Sequence, residues 1–393
     1  MLLKPKIFQL LFLISIFWSL SLQEEIQKAY YIDPTSSEQQ ETGDFSLPFH
    51  TFTSAFNQAR QDVSIIDPAD SFSLAFYVKE SSLISRFEES PTLFLDEDSR
   101  PPSTILITTY TDSKSSFPAA SSATLVFRDP ASHLGFVISN TKLVIQGFNF
   151  QINIEDGITN TELILVEGEK NQLVISNCEF KDINLNLQNK MFPVFNLKHG
   201  EYLIKKSVFS NLDLFNPLFR VQESPNGKVK FELNKFSQVS AHVTSLISVN
   251  GLGSFSFMDN EVEKTTGKLF DVTSTKNIII TNNFFFDVIG EFPIQLYTAQ
   301  NVILDKNSVG FEANENGIHK GFISLLNFDI LSIKETKLKG YSGSSPALSI
   351  SLEESYNSKS TSLLNLEDSV FLDNTLVFND DETRRTFSYS YRF

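Results

Sequence analysis

The sequence predicts an all-β solenoid, in which the chain winds into stacked coils of short parallel strands. Three observations predict it: an eight-residue pattern recurs along the chain, a second short apolar segment follows most copies, and one position of the pattern is repeatedly small or polar. A fixed element joined by loops of changing length is typical of a solenoid rather than of a propeller or a sandwich.

The recurring octet has apolar residues at its first, third and eighth positions and, in most copies, a small or amide residue at its sixth. Nine segments match without a gap: LVIQGFNF (143–150), LVISNCEF (173–180), YLIKKSVF (202–209), VKFELNKF (229–236), FSFMDNEV (255–262), IIITNNFF (278–285), VILDKNSV (302–309), LSIKETKL (331–338) and LNLEDSVF (364–371). Between octets lie second strands such as PVFNL (193–197) and PLFRV (217–221).

Alternation along each strand points the first, third, sixth and eighth octet positions into the core. Stacked coils then form an inner column at the third position, made of Ile145, Ile175, Ile204, Phe231, Phe257, Ile280, Leu304, Ile333 and Leu366. Because identical positions pair in register, each strand satisfies its backbone groups against the coils on either side of it.

The sixth octet position predicts a buried structural ladder. Its column runs through Phe148, Cys178, Ser207, Asn234, Asn260, Asn283, Asn307, Thr336 and Ser369. Asparagines on consecutive coils are expected to hydrogen-bond amide to amide along the rod. Cys178 is the only cysteine of the chain, which excludes an intrachain disulfide, and its place in this column predicts a buried, unreactive thiol.

Residues 1–23 have the order of a secretory signal peptide. Lys4 and Lys6 precede an apolar run over 7–22, and two acids follow it. We therefore expect a secreted or extracellular-surface protein; the alternative is an uncleaved signal that anchors the chain in a membrane. Loss of the two lysines moves the net charge from −15 to −17, a balance that argues against nucleic acid and anionic membrane surfaces as partners.

The rest of the chain divides into an N-terminal cap (24–60), the solenoid (61–375) and a C-terminal cap or tail (376–393). The N-terminal cap contains a segment, beginning at Thr51 or Thr53, whose apolar residues recur at helical spacing. Its apolar residues are Phe52, Ala55, Phe56 and Ala59. We expect this helix to cover the open end of the core.

The segments YIDP (31–34) and PFHTFTSAFNQA (48–59), followed by STILITTY, ATLVFRD and LGFVISNTKLVIQGFNF, resemble the N-terminal cap and first coils of pectin-lyase-like right-handed parallel β-helix proteins. The resemblance covers nearly all of the chain after the signal and implies a right-handed parallel β-helix of about ten coils. It leaves activity open, because this superfamily contains lyases, hydrolases, esterases, adhesins and non-catalytic surface proteins.

The enzyme motifs of that superfamily do not fit the coils. Polygalacturonase-like hydrolases combine N-x-D, D-D, G-H-G and R-x-K on adjacent coils, and this set does not occur in the octet region. The adjacent acids Asp380 and Asp381 lie beyond the last octet, and Arg220 is the single arginine between the first and last octets. The five histidines fall at unrelated places in the repeat. We therefore predict no catalytic, cofactor or metal site.

Two functions from different classes remain on the sequence. The first is a non-catalytic scaffold or binding module for a glycan or a surface protein. Its candidate contact patch consists of Ile279, Phe284, Phe286 and Ile303, which point outward unless a loop covers them. The alternative is a divergent lyase or hydrolase of acidic polysaccharide, with a site built from loops around 151–160 and 310–320.

Overall fold

The computed structural model describes residues 26–37, 40–67, 70–80, 82–84, 102–110, 123–127, 136–152, 164–167, 171–185, 193–311, 321–339, 347–352, 363–367, 369–371, 376–379 and 387–389. Within them the chain forms one helix, α1 (Phe52–Ser64), between the first and second of 28 strands. The predicted signal segment, the adjacent acids at 380 and 381, and most of the two long loops lie outside the described residues. No helix among the described residues combines the length and apolar character that crossing a membrane requires.

The strands, in chain order, are β1 (Ile26–Ile32), β2 (Phe72–Lys79), β3 (Leu83–Ile84), β4 (Thr104–Tyr110), β5 (Ala123–Phe127), β6 (Phe136–Ser139), β7 (Lys142–Gln146), β8 (Phe148–Ile152), β9 (Ile164–Glu167), β10 (Asn171–Ser176), β11 (Glu179–Leu185), β12 (Phe195–Lys198), β13 (Gly200–Lys205), β14 (Val208–Leu214), β15 (Phe219–Glu232), β16 (Lys235–Met258), β17 (Glu261–Thr273), β18 (Asn277–Thr281), β19 (Phe284–Ile289), β20 (Ile294–Asp305), β21 (Ser308–Gly310), β22 (Ile323–Lys334), β23 (Lys337–Lys339), β24 (Leu348–Ser351), β25 (Leu363–Glu367), β26 (Val370–Phe371), β27 (Leu376–Asn379) and β28 (Phe387–Tyr389).

These strands stack as three parallel ladders. The first ladder contains β1, β2, β4, β7, β10, β13, β15, β16, β18, β20, β22 and β25. The second contains β3, β5, β8, β11, β14, β16, β17, β19, β21, β23 and β26. The third contains β6, β9, β12, β15, β16, β17, β20, β22, β24 and β27. Each long strand contributes to more than one ladder because it bends around a corner. The all-β parallel solenoid predicted from the sequence is confirmed.

The predicted inner column is confirmed by the strand register. Each of its nine residues pairs with the next along the first ladder, from Ile145 to Leu366. The second ladder adds a column of phenylalanines at the eighth octet position. Phe150, Phe180 and Phe209 stack with ring centroids 4.4 and 4.8 Å apart and nearly parallel planes. Stacking of equivalent positions therefore fills the core with phenylalanine rings.

Both ends of the solenoid have additional elements. Helix α1 begins after Thr51, whose Oγ1 accepts a hydrogen bond of 3.0 Å from the Ser54 backbone N–H. Its buried residues are the four that the sequence predicted, and Phe56 packs on Phe76 of β2 with ring centroids 4.6 Å apart. The capping helix is thus confirmed. At the other end, β27 continues the third ladder and β28 turns back antiparallel to it.

Candidate binding groove

Three glycines form a strip without side chains at the corner where the third ladder leads into the first. Gly200, Gly227 and Gly253 occupy equivalent positions on consecutive coils, as the pairing of the residues that follow them shows. A Cβ on Gly227 would lie 2.6 Å from the carbonyl oxygen of Gly200, and one on Gly253 would lie 2.9 Å from that of Gly227. Larger residues at Gly227 and Gly253 would therefore collide with the backbone of the preceding coil. Gly200 and Gly227 form the floor of a groove, and Gly253 lies on the next coil.

A bulge in β15 raises one wall of this groove. The register between β15 and β16 shifts between Ser224 and Lys228, so the intervening residues, including Pro225 and Asn226, have no partners in the ladder. The Ser224 hydroxyl oxygen accepts a hydrogen bond of 3.0 Å from the Gly200 backbone N–H, which ties the bulge to the floor.

The groove has a volume of about 530 Å³ and spans three coils. It is lined by Asn171, Gln172, His199, Gly200, Glu201, Ser224, Pro225, Asn226 and Gly227. Its lining side chains are mostly uncharged hydrogen-bonding groups. The carboxylate of Glu201 lies 3.1 Å from the ammonium of Lys228, and both side chains are at least half exposed, so this ion pair is screened by solvent.

The walls are held by the backbone of the corner. His199 has a left-handed conformation with φ of 51°, which turns the chain from β12 into β13. Under the floor, the hydroxyl of Tyr202 donates a hydrogen bond of 2.9 Å to the Lys198 carbonyl, and burial raises the pKa of Tyr202 above its ordinary value. The floor therefore rests on a neutral, fixed aromatic ring.

The lining groups limit the chemistry that this groove offers. Hydrolysis of a glycosidic bond usually uses two positioned carboxylates. The groove has one carboxylate, and it is paired with a lysine. Amide, imidazole and hydroxyl groups, by contrast, match the alternating donors and acceptors of a polyhydroxylated ligand.

The residues of the predicted ladder lie together in a different corner, between the first and second ladders. The first three asparagine side chains donate to the next one along the column: Asn234 to Asn260 (3.0 Å), Asn260 to Asn283 (3.2 Å) and Asn283 to Asn307 (3.0 Å). Each Nδ2 also donates to a carbonyl of the preceding coil at 2.7 to 3.0 Å. Residues just before the column have positive φ, as at Asp259 (55°). The ladder thus closes the turns and takes no part in the groove.

The two residues that precede the asparagines continue this pattern. Ser207 accepts from the Cys178 backbone N–H at 3.3 Å, and its own N–H donates to the Asn234 side chain at 3.0 Å. The Cys178 thiol is 2% exposed and lies 3.3 Å from the Ser176 carbonyl oxygen. Burial raises the pKa of this thiol to about 12.

The four residues of the sequence-derived contact patch lie on two ladders. Ile279 and Ile303 are cross-strand neighbours on β18 and β20 of the first ladder. Phe284 and Phe286 lie on β19 of the second ladder, beyond the turn that contains Asn283. Phe284 is 42% exposed and Ile303 is 38% exposed, while the other two are half-buried.

Comparisons with known proteins add little to this geometry. No protein-family model matches the chain, and no curated protein matches it either. Among solved structures, a rhamnogalacturonan lyase is similar over 80% of this chain and 83% of its own, with 12% sequence identity and a TM-score of 0.37. At these values the match gives no information about activity. The strand register itself establishes the parallel β-solenoid, which is the architecture implied by the resemblance to pectin-lyase-like proteins.

Sequence reasoning missed the groove, although the sequence contains a signal for it. In three consecutive rows a glycine stands two residues before the octet, in GEYLIKKSVF (200–209), GKVKFELNKF (227–236) and GSFSFMDNEV (253–262). A repeated glycine at one position of a coil marks a place where only hydrogen fits. The unrelated places of the five histidines in the repeat predict no site, whereas the structure places His199 on the groove wall.

Proposed function

We propose that this chain is a non-catalytic, extracellular β-solenoid that binds a segment of polysaccharide in the corner groove. The observation that carries the proposal is the floor formed by Gly200 and Gly227, which leaves an open trough in which backbone and polar side chains of three coils face a ligand. The residues around it are mainly uncharged donors and acceptors, as sugar hydroxyls require. The solenoid supplies rigidity, since a preformed site loses little entropy on binding.

Polysaccharide fits this groove better than other ligand classes. Nucleic acid needs clustered lysines and arginines, and Lys228 beside the groove is paired with an acid. A small apolar ligand needs a largely apolar enclosure, whereas the apolar side chain of this lining is Pro225. Secretion follows from the signal predicted at residues 1–23 and belongs to the same proposal.

Affinity electrophoresis against a panel of neutral and acidic polysaccharides, with and without calcium, tests the proposal. The variants Gln172→Ala and Asn226→Ala remove groove side chains, and we expect retardation by the bound polysaccharide to weaken at least fivefold. Gln300→Ala is the matched control, because it removes an exposed glutamine at the same corner on a coil outside the groove.

Three results would overturn the proposal. The first is no retardation by any polysaccharide of the panel. The second is retardation that the two groove variants leave unchanged or that Gln300→Ala weakens equally. The third is cleavage of a polysaccharide chain that disappears in Glu201→Gln, since that result would show a polysaccharide lyase or hydrolase.

A further inference from the structure

A separate surface lies on the outward face of the second ladder and begins two coils beyond the last coil of the groove. Phe284 and Phe286 project from the same side of β19, with ring centroids 6.2 Å apart and ring planes within 4° of parallel. We call this pair the aromatic platform. Two parallel rings on the outward face of β19, one of them 42% exposed, give a flat apolar wall on the solvent side of the sheet.

Small residues occupy the next strand beside the platform. Ser308 and Gly310 of β21 pair with Phe284 and Phe286. A Cβ on Gly310 would lie 3.3 Å from a ring carbon of Phe286. The absence of a side chain at Gly310 therefore leaves room for the Phe286 ring. Glycine within a strand often marks a position where another backbone approaches closely. Strand β21 therefore forms a low floor next to the aromatic wall.

Two lysines form the opposite wall. Lys337 and Lys339 of β23 pair with Ser308 and Gly310, both are exposed, and neither has a carboxylate within ion-pair distance among the described residues. With neighbouring strands about 4.8 Å apart, the lysine wall stands about 10 Å from the aromatic wall. The trough thus has an apolar side, a floor of small residues and a positive side.

The acids on the far side of the platform are partly neutralised. Glu261 and Glu263 of β17 pair with the two phenylalanines, and both carboxylates lie within 3.3 Å of the Lys235 ammonium. The pKa of Glu261 is lowered, chiefly by its hydrogen bond with Lys235. Among the lysines around the trough, Lys235 is paired with two acids. Lys337 and Lys339 on the β23 side therefore supply the positive charge that can reach a ligand.

The spacing within each wall matches that of an extended peptide. Both walls repeat every second residue of a strand, a distance of about 6.6 Å, and the ring centroids are 6.2 Å apart. An extended peptide laid along β21 has the same repeat and directs alternate side chains to opposite sides. We propose that this trough binds an extended peptide of a partner protein in which apolar and acidic residues alternate, with the apolar side chains on the platform and the carboxylates at Lys337 and Lys339.

Fluorescence polarisation with labelled synthetic peptides tests this inference on the whole protein. The probe alternates leucine and aspartate over eight residues. Its controls are a block peptide of the same composition and an alternating leucine–lysine peptide. We expect the alternating acidic peptide to bind at least tenfold more tightly than either control, and binding to weaken as salt is raised, because exposed charges are screened.

Variants locate the site. Lys337→Gln with Lys339→Gln and, separately, Phe284→Ser should each weaken peptide binding at least fivefold and leave polysaccharide retardation by the groove unchanged. The matched control is Lys181→Gln, an exposed outward lysine of the same ladder on a distant coil. Because these side chains are exposed or half-exposed, the variants should fold, and unchanged circular dichroism spectra and melting curves verify it.

Four outcomes would overturn the inference. They are no binding of the alternating acidic peptide, equal binding of the block peptide, equal loss in Lys181→Gln, and a dimer of the chain that Phe284→Ser converts to monomer. The last outcome would assign the platform to a contact between copies. Failure of polysaccharide binding at the groove would leave this inference untouched, because the two sites use different residues.

Discussion

Replacing Asn260 with leucine removes the middle of the asparagine ladder. Four hydrogen bonds involve this side chain. Its Oδ1 accepts from the Asn234 backbone N–H (2.9 Å) and side-chain amide (3.0 Å), and its Nδ2 donates to the Phe231 carbonyl (3.0 Å) and to Asn283 Oδ1 (3.2 Å). Asn260 is 2% exposed, so water cannot take over these bonds without opening the coil.

The cost follows from the groups that lose their partners. The Asn234 backbone N–H loses its acceptor and the Phe231 carbonyl loses its amide donor. By contrast, Asn234 Nδ2 keeps the Ile204 carbonyl, and Asn283 Oδ1 keeps the backbone N–H at position 260. Each buried polar group without a partner costs about 1–3 kcal/mol. Allowing for some gain from the buried leucine, we expect a loss of about 3 kcal/mol in the free energy of unfolding.

Urea unfolding followed by far-ultraviolet circular dichroism measures this loss as a lower midpoint at an unchanged slope. The matched control is Asn301→Leu on the outward face of the first ladder, where the amide donates to Asn277 Oδ1 at 2.9 Å and is only half-buried. Water replaces that bond, so we expect a loss below about 1 kcal/mol. If the Asn260 substitution cost no more than the Asn301 substitution, the ladder would not stabilise the fold.

Two further predictions concern titrating groups. With its pKa raised to about 12 by burial, Cys178 should resist iodoacetamide at pH 8 in native protein and react in urea; rapid native labelling, read by mass spectrometry, would show that the thiol is accessible. Burial alone would raise the pKa of Asp33. Hydrogen bonds from Thr35 and Lys79 have the larger combined effect, so the pKa lies below its ordinary value. Asp33 therefore contributes stability above its unfolded pKa of about 4 that is lost as pH falls through the folded value. Asp33→Asn should flatten the decline of the urea midpoint below pH 4, and parallel declines in the two proteins would count against this ion pair.

Much of the fold could be predicted because its determinants lie within one coil. Alternation over three residues decides which side chains face the core, and the same alternation recurs in nine octets, so the inner column from Ile145 to Leu366 follows from the sequence alone. The helix over Phe52–Ser64 was predictable for the same local reason, since a threonine cap and four apolar residues at helical spacing occur together.

The groove could not be predicted in this way because it depends on relations between coils. Gly200 and Gly227 form a floor only when the register brings them together, and the bulge after Ser224 forms a wall only because the next coil is shorter there. The contact patch shows the same limit. Ile279 and the two phenylalanines are close in sequence, yet the turn at Asn283 places them on different ladders.

The sequence by itself thus determined the solenoid, its inward columns and the capping helix, since these depend on periods of two and 3.6 residues that a single strand or helix imposes on its own chain. Only the tertiary structure decided which corner is a trough, which side chains face it, and which aromatic residues share a surface with lysines. Those features arise from backbone contacts between coils, whose equivalent residues lie 23 to 33 positions apart in the sequence. The alternation within one strand does not determine how neighbouring coils align at their corners.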